Sequence, residues 1–300
     1  MKANMVDLKR EIKLFGQELL EKLKSGFKTL FANSKSTAGT LIMVFFIFFA
    51  TFGPLIWPYD NSTDALNKFL TPSWEHILGT DELGRDLFRQ LVDGSRDVMS
   101  IALLTSIFTV FLGVFLGMLS GLLGGWADKI IMTITNLFLS IPSFPALLML
   151  SAFLNIDNAF SFALVLSIWS WAGLARAVRS QIISLKERDF ILICKVMNVN
   201  KIHIIFSELI PNLASYILIN FILIMRNAII GSVGIMMLGL ASFQPSNWGA
   251  MLFRAKAVIT SPKAIYLLMS PIVAITLFQT GALFLANGLD EALNPRLRKN

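Results

Sequence analysis

Apolar residues in this chain are gathered into six long blocks separated by polar segments, rather than alternating or forming narrow stripes. A helix needs roughly 20 consecutive apolar residues to cross the hydrocarbon core of a bilayer. The pattern therefore predicts an all-α polytopic membrane protein with about six transmembrane helices. The predicted spans are residues 38–57, 99–123, 130–154, 158–174, 213–240 and 264–287.

Two of the predicted spans contain residues that are unusual in a membrane. The third contains Pro142 and Pro145, and we expect it to kink there because proline removes a helical hydrogen bond. The fifth contains Arg226, and a lipid-facing charge at that depth costs at least about 2.5–3.5 kcal/mol. Arg226 should therefore face the bundle or a watery path. It either pairs with a carbonyl or a partner-chain acid, or it lines a watery route through the bundle where an anionic group could meet it.

The first 37 residues have a different pattern, with apolar residues recurring every three or four positions and Lys or Glu on much of the opposite face. The apolar positions are Leu8, Ile12, Phe15, Leu19, Leu23, Phe27 and Leu30. This pattern predicts an amphipathic helix lying on the inner leaflet, with a solvated coil as the alternative. The expected organisation is a cytoplasmic arm (1–37) followed by a transmembrane domain (38–300).

Composition and charge agree with a membrane protein whose two ends are cytoplasmic. The chain is 55% hydrophobic and 15% charged, whereas soluble domains are about 25% charged. Most Lys and Arg residues lie in the N-terminal arm, in the loop between the fourth and fifth spans, and in the C-terminal tail. The positive-inside rule therefore predicts a multi-pass protein of the cytoplasmic membrane with both termini in the cytoplasm. The net charge of +7 is explained by these basic segments, so no nucleic acid partner is expected.

The motifs of the common catalytic sites do not occur in the sequence. It contains no G-x-x-x-x-G-K-[ST] phosphate loop, no G-x-S-x-G elbow and no H-E-x-x-H pair. The predicted topology separates His76 from His203, and Cys194 is the only cysteine. A metal site of His76, Asp81 and Asp86 is an alternative, but the spacing fits no standard loop. We therefore expect no catalytic residue, no cofactor and no metal, and ATP hydrolysis, if used, would occur in separate subunits.

The long cytoplasmic loop at 180–212 combines charge with an apolar surface. That surface consists of Phe190, Ile191, Ile193, Cys194 and Met197. Asn198 then interrupts the pattern, and asparagine accepts a left-handed turn, so we predict helix–turn–helix. The apolar surface either docks on a partner protein or packs on the chain's own bundle.

The first outside loop ends in a dense run of turn-forming and charged residues, HILGTDELGRDLFRQL. Gly79 and Gly84 permit tight backbone conformations, and Asp81 is placed to cap a helix start. We interpret this run as a structural corner at the outer mouth of the protein.

Arg85 and Asp86 are expected to hold this corner by hydrogen bonds, and a short helix should then lie against the bundle. Its apolar face would consist of Leu87, Phe88, Leu91 and Val92. Direct binding of cargo and contact with an external binding protein are alternative roles for the same segment.

The cytoplasmic loop resembles the coupling loop, or EAA loop, of bacterial ABC importer permeases. Phe190 to Asn198 match the start of that family's pattern and Leu209–Asn212 match its end. The usual Glu-Ala-Ala is replaced by Leu192–Cys194, and the usual glycine by Asn198. The resemblance implies that this loop docks into a groove of an ATPase subunit. The implied coupling residues are Phe190, Ile193, Cys194, Met197 and Asn198.

Four further stretches resemble the dipeptide, oligopeptide and nickel branch of these permeases, and specifically the second, C-type subunit. They are HILGTDELGRDLFRQLVDGSRD, GGWAD at 124–128, QPSNWGAML at 244–252 and NGLDEALNPRLR at 287–298. The resemblance implies a heterodimer with a homologous permease, two ABC ATPase subunits and an extracytoplasmic substrate-binding protein. ATP-driven closure of the ATPases would be transmitted through residues 186–208 to give alternating access.

Peptides are the expected cargo, with nickel or a metal chelate as the alternative. An ion-coupled secondary transporter is a rival from a different class, and such proteins often carry acids inside their spans. The predicted spans contain no Asp or Glu, which argues against that rival. A channel would need a ring of pore-lining charges, and no such ring is evident.

Overall fold

The computed structural model describes residues 28–154, 156–200, 203–241 and 244–293. Within these ranges the chain is built from helices, and the only β pairing is an isolated bridge. The helices are α1 (Ser34–Ile56), α2 (Leu87–Leu123), α3 (Gly125–Ser140), α4 (Ser143–Phe153), α5 (Ala159–Lys186), α6 (Asp189–Val196), a π-helical turn (Ile204–Leu209), α7 (Ile210–Met237), α8 (Trp248–Ala257), a 3-10 turn (Pro262–Ala264) and α9 (Ile265–Leu293). The predicted all-α class is confirmed.

By length and composition, the described helices provide five candidate membrane spans, or six if one bent pair is counted as a span. Five are long and apolar enough to span: α1, α2, α5, α7 together with the π-helical turn, and α9 together with the 3-10 turn. The bent pair is α3 and α4, which meet at an angle of 86°. The break falls at Pro142, so the predicted kink of the third span is a complete interruption of the helix.

Two spans are longer than the apolar pattern predicted. α2 begins at Leu87 rather than at Met99, and α5 continues to Lys186 rather than ending at Leu174. The reason is that helical hydrogen bonding continues past the apolar block into polar sequence outside the hydrocarbon core. The short outer helix predicted after the corner is therefore wrong as a separate element, since it is the first turns of α2.

Small residues allow α2 and α5 to pack closely. Gly113, Gly117 and Gly121 recur every four residues on α2, and a Cβ at any of them would press on α5. At Gly117 that atom would lie 2.5 Å from the Ala175 carbonyl oxygen. Close backbone approach of this kind is a main source of packing energy between helices in lipid.

The beginning of α1 and the end of α9 meet on the same side of the bundle. Asn33 caps α1 by accepting a hydrogen bond from Ser36 N (2.7 Å), and its amide donates to Gly288 O on α9 (2.9 Å). The first and last spans therefore start and finish on one side, as an even number of crossings requires. The amphipathic helix predicted for the arm falls largely on residues 1–27, which lie outside the described residues.

Candidate functional site

The corner between α1 and α2 depends on two glycines with left-handed backbone. Gly79 has φ 79° and Gly84 has φ 81°. A Cβ at Gly84 would collide with Asp64 O, so this position has no room for a side chain. The tight turns predicted from the sequence are confirmed.

Asp81 is the centre of the corner and is fully buried. Its Oδ1 accepts hydrogen bonds from the backbone N–H groups of Leu83 (2.8 Å) and Arg85 (2.9 Å). Its Oδ2 accepts from Arg85 Nε, Gln90 Nε2 and Arg254 NH1, each at 2.8 Å. One carboxylate thus joins the outer loop, the first turn of α2 and helix α8.

These contacts set the charge state of Asp81. Burial alone would raise the pKa of its carboxyl, but the hydrogen bonds from Arg85, Arg254, Gln90 and Leu83 outweigh it and hold the pKa below its usual range. Arg254 also donates to Glu82 at 3.0 Å, so two guanidinium groups share two carboxylates here.

The helix cap is Asp86, so the prediction that Asp81 caps a helix is wrong. Asp86 precedes α2 and accepts from Arg89 N at 2.8 Å, and it contacts His76 Nδ1 at 2.8 Å. Asp81 instead holds a turn in which no helix begins. No group of three or more His, Cys, Asp or Glu residues suited to a metal ion occurs in the described ranges.

The loop between α5 and α7, predicted to be cytoplasmic, forms the predicted helix and turn. α6 is followed by Asn198 with φ 54°, which confirms the left-handed turn expected at this asparagine. The π-helical turn and α7 then continue the second helical stretch as far as the outer end of the fifth span.

The two faces of α6 have different surroundings. Ile191 is buried, and Cys194 packs with it against an apolar cluster formed by α5 and α7. Val196 and Met197 are 87% and 72% exposed, and Ile193 is also exposed. Cys194, predicted as a coupling residue, thus lies on the bundle side, because it is three positions from Ile191 on the helix. Val196, which the sequence reading missed, belongs to the uncovered face.

Polar contacts tie the start of this loop to neighbouring spans. Lys186 Nζ donates to Gly121 O (3.0 Å) and Leu122 O (3.2 Å) at the end of α2. Arg179 on α5 donates from its Nε and from one terminal nitrogen to the two carboxylate oxygens of Asp128 on α3. The sequence reading assigned no role to either cation, since their partners are 51 or more positions away.

A cavity of about 600 Å³ lies beside the break between α3 and α4. Its wall includes Phe138, Phe144, Leu147, Trp169, Gly173 and Asn227. Its residues on α5 run from Leu166 to Gly173, in the second half of the predicted fourth span.

Arg226 lies on α7 and has no carboxylate within ion-pair distance among the described residues. Its Nε is buried without a hydrogen-bond partner, and its backbone oxygen accepts from Gln279 Nε2 at 2.9 Å. It does not line the central cavity, although its neighbour Asn227 does.

The long apolar helices and the bent pair α3 and α4 define this protein as a multi-pass membrane protein. Residues 113–299 match the family of binding-protein-dependent transport system inner membrane components, and residues 23–72 match the N-terminal TM domain of oligopeptide transport permease C. The chain belongs to this family of transport permeases.

Relatives cover nearly the whole chain. The oligopeptide transport system permease protein OppC of Bacillus subtilis (strain 168) is 30% identical over 270 residues, which is 89% of this chain and 88% of the relative. The dipeptide transport system permease protein DppC of Alkalihalophilus pseudofirmus is 30% identical over 279 residues, covering 92% and 90%. OppC of Haemophilus influenzae is 29% identical over 298 residues, covering 98% and 94%.

Proposed function

We propose that the chain is one of two homologous permease subunits of an ATP-driven ABC importer for peptides, and that it forms half of the translocation pathway. Family membership supports the permease role. The names of the relatives, which are oligopeptide and dipeptide permeases, favour peptides over nickel or a metal chelate. Two ATPase subunits would supply the energy, and a substrate-binding protein outside would deliver the cargo.

The observation that carries this proposal is the uncovered apolar face of α6. Phe190, Ile193, Val196 and Met197 form this docking face, while Ile191 and Cys194 hold the other side against the bundle. An apolar face fixed in place but left open fits a groove on another protein. We assign that groove to an ATPase subunit.

The anchors of the loop supply a route for coupling. Because Lys186 binds the end of α2 and Arg179 binds α3, a displacement of α6 would be passed to both helices. α3 is the first half of the broken third span, so movement at the ATPase would reach the break at Pro142. This is the physical basis we propose for alternating access.

The remaining assignments follow from orientation. The excess of Lys and Arg supports cytoplasmic termini, an N-terminal arm (1–37) on the inner leaflet and an external corner around Asp81. The rigid corner then faces the binding protein. We retain Arg226 as a residue of the translocation path that meets an anionic group of the cargo.

Replacement of Met197 by Asp tests the docking face. Covering an unpaired charge costs about 3–5 kcal/mol, so ATPase subunits should no longer copurify while the permease still reaches the membrane. Trp74→Asp is the matched control, since Trp74 is fully exposed on the outer loop. Normal copurification of both variants would remove α6 from the interface and contradict the proposal.

A further inference from the structure

Another cavity, of about 640 Å³, forms an open groove between α1, α2 and α7. It shares no lining residue with the cavity beside the broken span. Along α1 the groove extends from Met43 to Leu55, which is about 18 Å at the helical rise of about 1.5 Å per residue. One leaflet contributes about 15 Å to the hydrocarbon core, so the groove has the length of one acyl chain.

Apolar side chains form most of the wall of this groove. Its floor is buried and its rim is exposed: Met43, Met99 and Met225 belong to the floor, and Ile47, Leu55 and Leu103 to the rim. Thioether side chains are flexible and adapt to irregular neighbours. Thr51 also lines the groove, but its hydroxyl already donates to Ile47 O on its own helix. The chemistry of the wall therefore suits a hydrocarbon chain.

Arg96 is the only charged residue among the described residues that line the groove, and it is exposed. No carboxylate in the described ranges lies within ion-pair distance of its guanidinium. Asp93 and Asp97 lie nearby on α2 but do not line the groove. A cation at membrane depth is unfavourable without a partner, so the guanidinium favours an anionic group that enters the groove.

The guanidinium of Arg96 extends toward one end of the groove. Gly53 on α1 and Val92 on α2 lie side by side, because a Cβ on Gly53 would be 2.6 Å from the Val92 side chain. Arg96 follows Val92 by about one turn of α2. Helical side chains lean toward the N-terminus of their helix, so the long side chain of Arg96 reaches back toward the end of the groove at Leu55. This end is next to the loop between α1 and α2.

We propose that the groove binds a phospholipid of the leaflet next to the loop between α1 and α2, with one acyl chain against α1 and the headgroup phosphate on Arg96. A guanidinium forms paired, charge-assisted hydrogen bonds with a phosphate. Basic pockets between membrane spans hold lipid head groups in the same way. The site is independent of the cargo and of the ATPase contact.

A helix of another subunit fits the groove less well than an acyl chain. A helix about 10 Å in diameter and about 18 Å long occupies about 1,400 Å³, which is more than twice the volume of the groove. An apolar helix would in addition leave Arg96 without a counter-charge. A phospholipid supplies both the narrow chain and the anion.

Photo-crosslinking of the purified complex locates the lipid. The complex is kept in dodecyl maltoside, a detergent without phosphate, and is titrated with phosphatidylglycerol that carries a diazirine in one acyl chain. Mass spectrometry should find saturable adducts on the groove segments of α1 (43–51) and α2 (99–103). Adducts spread along the exposed faces of all spans, without enrichment in the groove, would overturn the inference.

Two arginines on α2 give a matched pair for the phosphate contact. Arg89 lies two turns before Arg96, is also exposed, and does not line the groove. Arg96→Gln should raise the half-saturating concentration of the probe at least about tenfold, the factor given by a hydrogen bond to a charged group. Arg89→Gln should bind the probe as the wild type does. An equal loss in both variants, or unchanged binding in Arg96→Gln, would overturn the contact.

Thr51, which is exposed on the groove, allows a test of what covers it in the membrane. The photoreactive residue p-benzoylphenylalanine in place of Thr51 should capture a phospholipid in intact cells. Capture of a partner subunit instead of lipid would overturn the inference. Thr51→Phe fills the groove from its exposed side and should abolish the diazirine adducts in the groove while the subunits still copurify. Groove adducts that persist in Thr51→Phe would also contradict the site.

Discussion

Arg254 donates a hydrogen bond to Asp81 across 2.8 Å, although the two residues are 173 positions apart in the chain. Asp81 lies in the loop between α1 and α2, and Arg254 lies on α8. Because the same carboxylate also binds Arg85 and Gln90, the outer loop and α8 are fixed to each other as one unit. The loop between α1 and α2 therefore forms a rigid corner against α8.

Replacement of Asp81 by Asn should destabilise this corner severely. The amide keeps the size of the side chain but leaves Arg85 and Arg254 without their buried counter-charge, which costs about 3–5 kcal/mol. Thermal unfolding of the purified protein measures the effect as a lower Tm. Asp60→Asn, at an exposed carboxylate in the same loop, is the control and should leave Tm near its wild-type value. Equal Tm values for the two variants would contradict the assigned role.

The contribution of Asp81 should also depend on pH. Its folded-state pKa is below the unfolded value of about 3.9, so the ionised carboxylate stabilises the fold above that pH. This stabilisation is lost as pH falls through the folded-state pKa. The Tm difference between wild type and Asp81→Asn should thus be constant from about pH 8 to 5 and should narrow below about pH 4. A difference that widens on acidification would refute the assignment.

Orientation can be tested with single cysteines in a Cys194→Ser background. Ser62 and Ser180 are both exposed, and the Lys and Arg distribution assigns them to opposite sides of the membrane. Cysteine at position 62 should react with an impermeant thiol reagent in intact cells, and cysteine at position 180 should react only after permeabilisation. The reverse labelling pattern would show that the orientation in the membrane is opposite to the predicted one.

If Arg226 lines the translocation path, removing its charge should affect the uptake of an anionic peptide more than that of a neutral one. Arg226→Met keeps much of the length and apolar bulk and removes the charge. If Arg226 meets the cargo, the complex should assemble, and uptake of a tripeptide with a free carboxylate should fall more than that of its amidated form. A variant that only loses expression or Tm would indicate an anchoring role at the contact with Gln279 instead.

Features carried by local pattern were predictable from the sequence. The apolar blocks predicted the five long spans and the bent pair α3 and α4, Pro142 predicted the site of the break, and Asn198 predicted the left-handed turn. Helix ends were less predictable, because α2 continues through charged residues outward of Met99, where hydropathy falls but helical hydrogen bonding continues. The recurring glycines at 113, 117 and 121 were a usable signal for the contact between α2 and α5.

Contacts between residues that are far apart in the chain could not be predicted from the sequence pattern. No periodicity connects Asp81 with Arg254, because their contact depends on how α8 folds back over the start of α2. The faces of α6 were likewise ambiguous, since Cys194 and Met197 are both apolar and three positions apart. Only the packing of Ile191 shows which side of that helix the bundle occupies.

The central claim is that this chain forms part of a pathway driven by ATP, and uptake into proteoliposomes tests it most directly. The complex would be reconstituted with its partner permease, ATPases and binding protein, and accumulation of labelled trialanine would be measured with ATP, without ATP, and after collapse of ion gradients by ionophores. The account predicts uptake that requires ATP and persists when the gradients are collapsed. Uptake that does not depend on ATP and is lost when the ion gradients are collapsed would contradict the account and would identify an ion-coupled transporter.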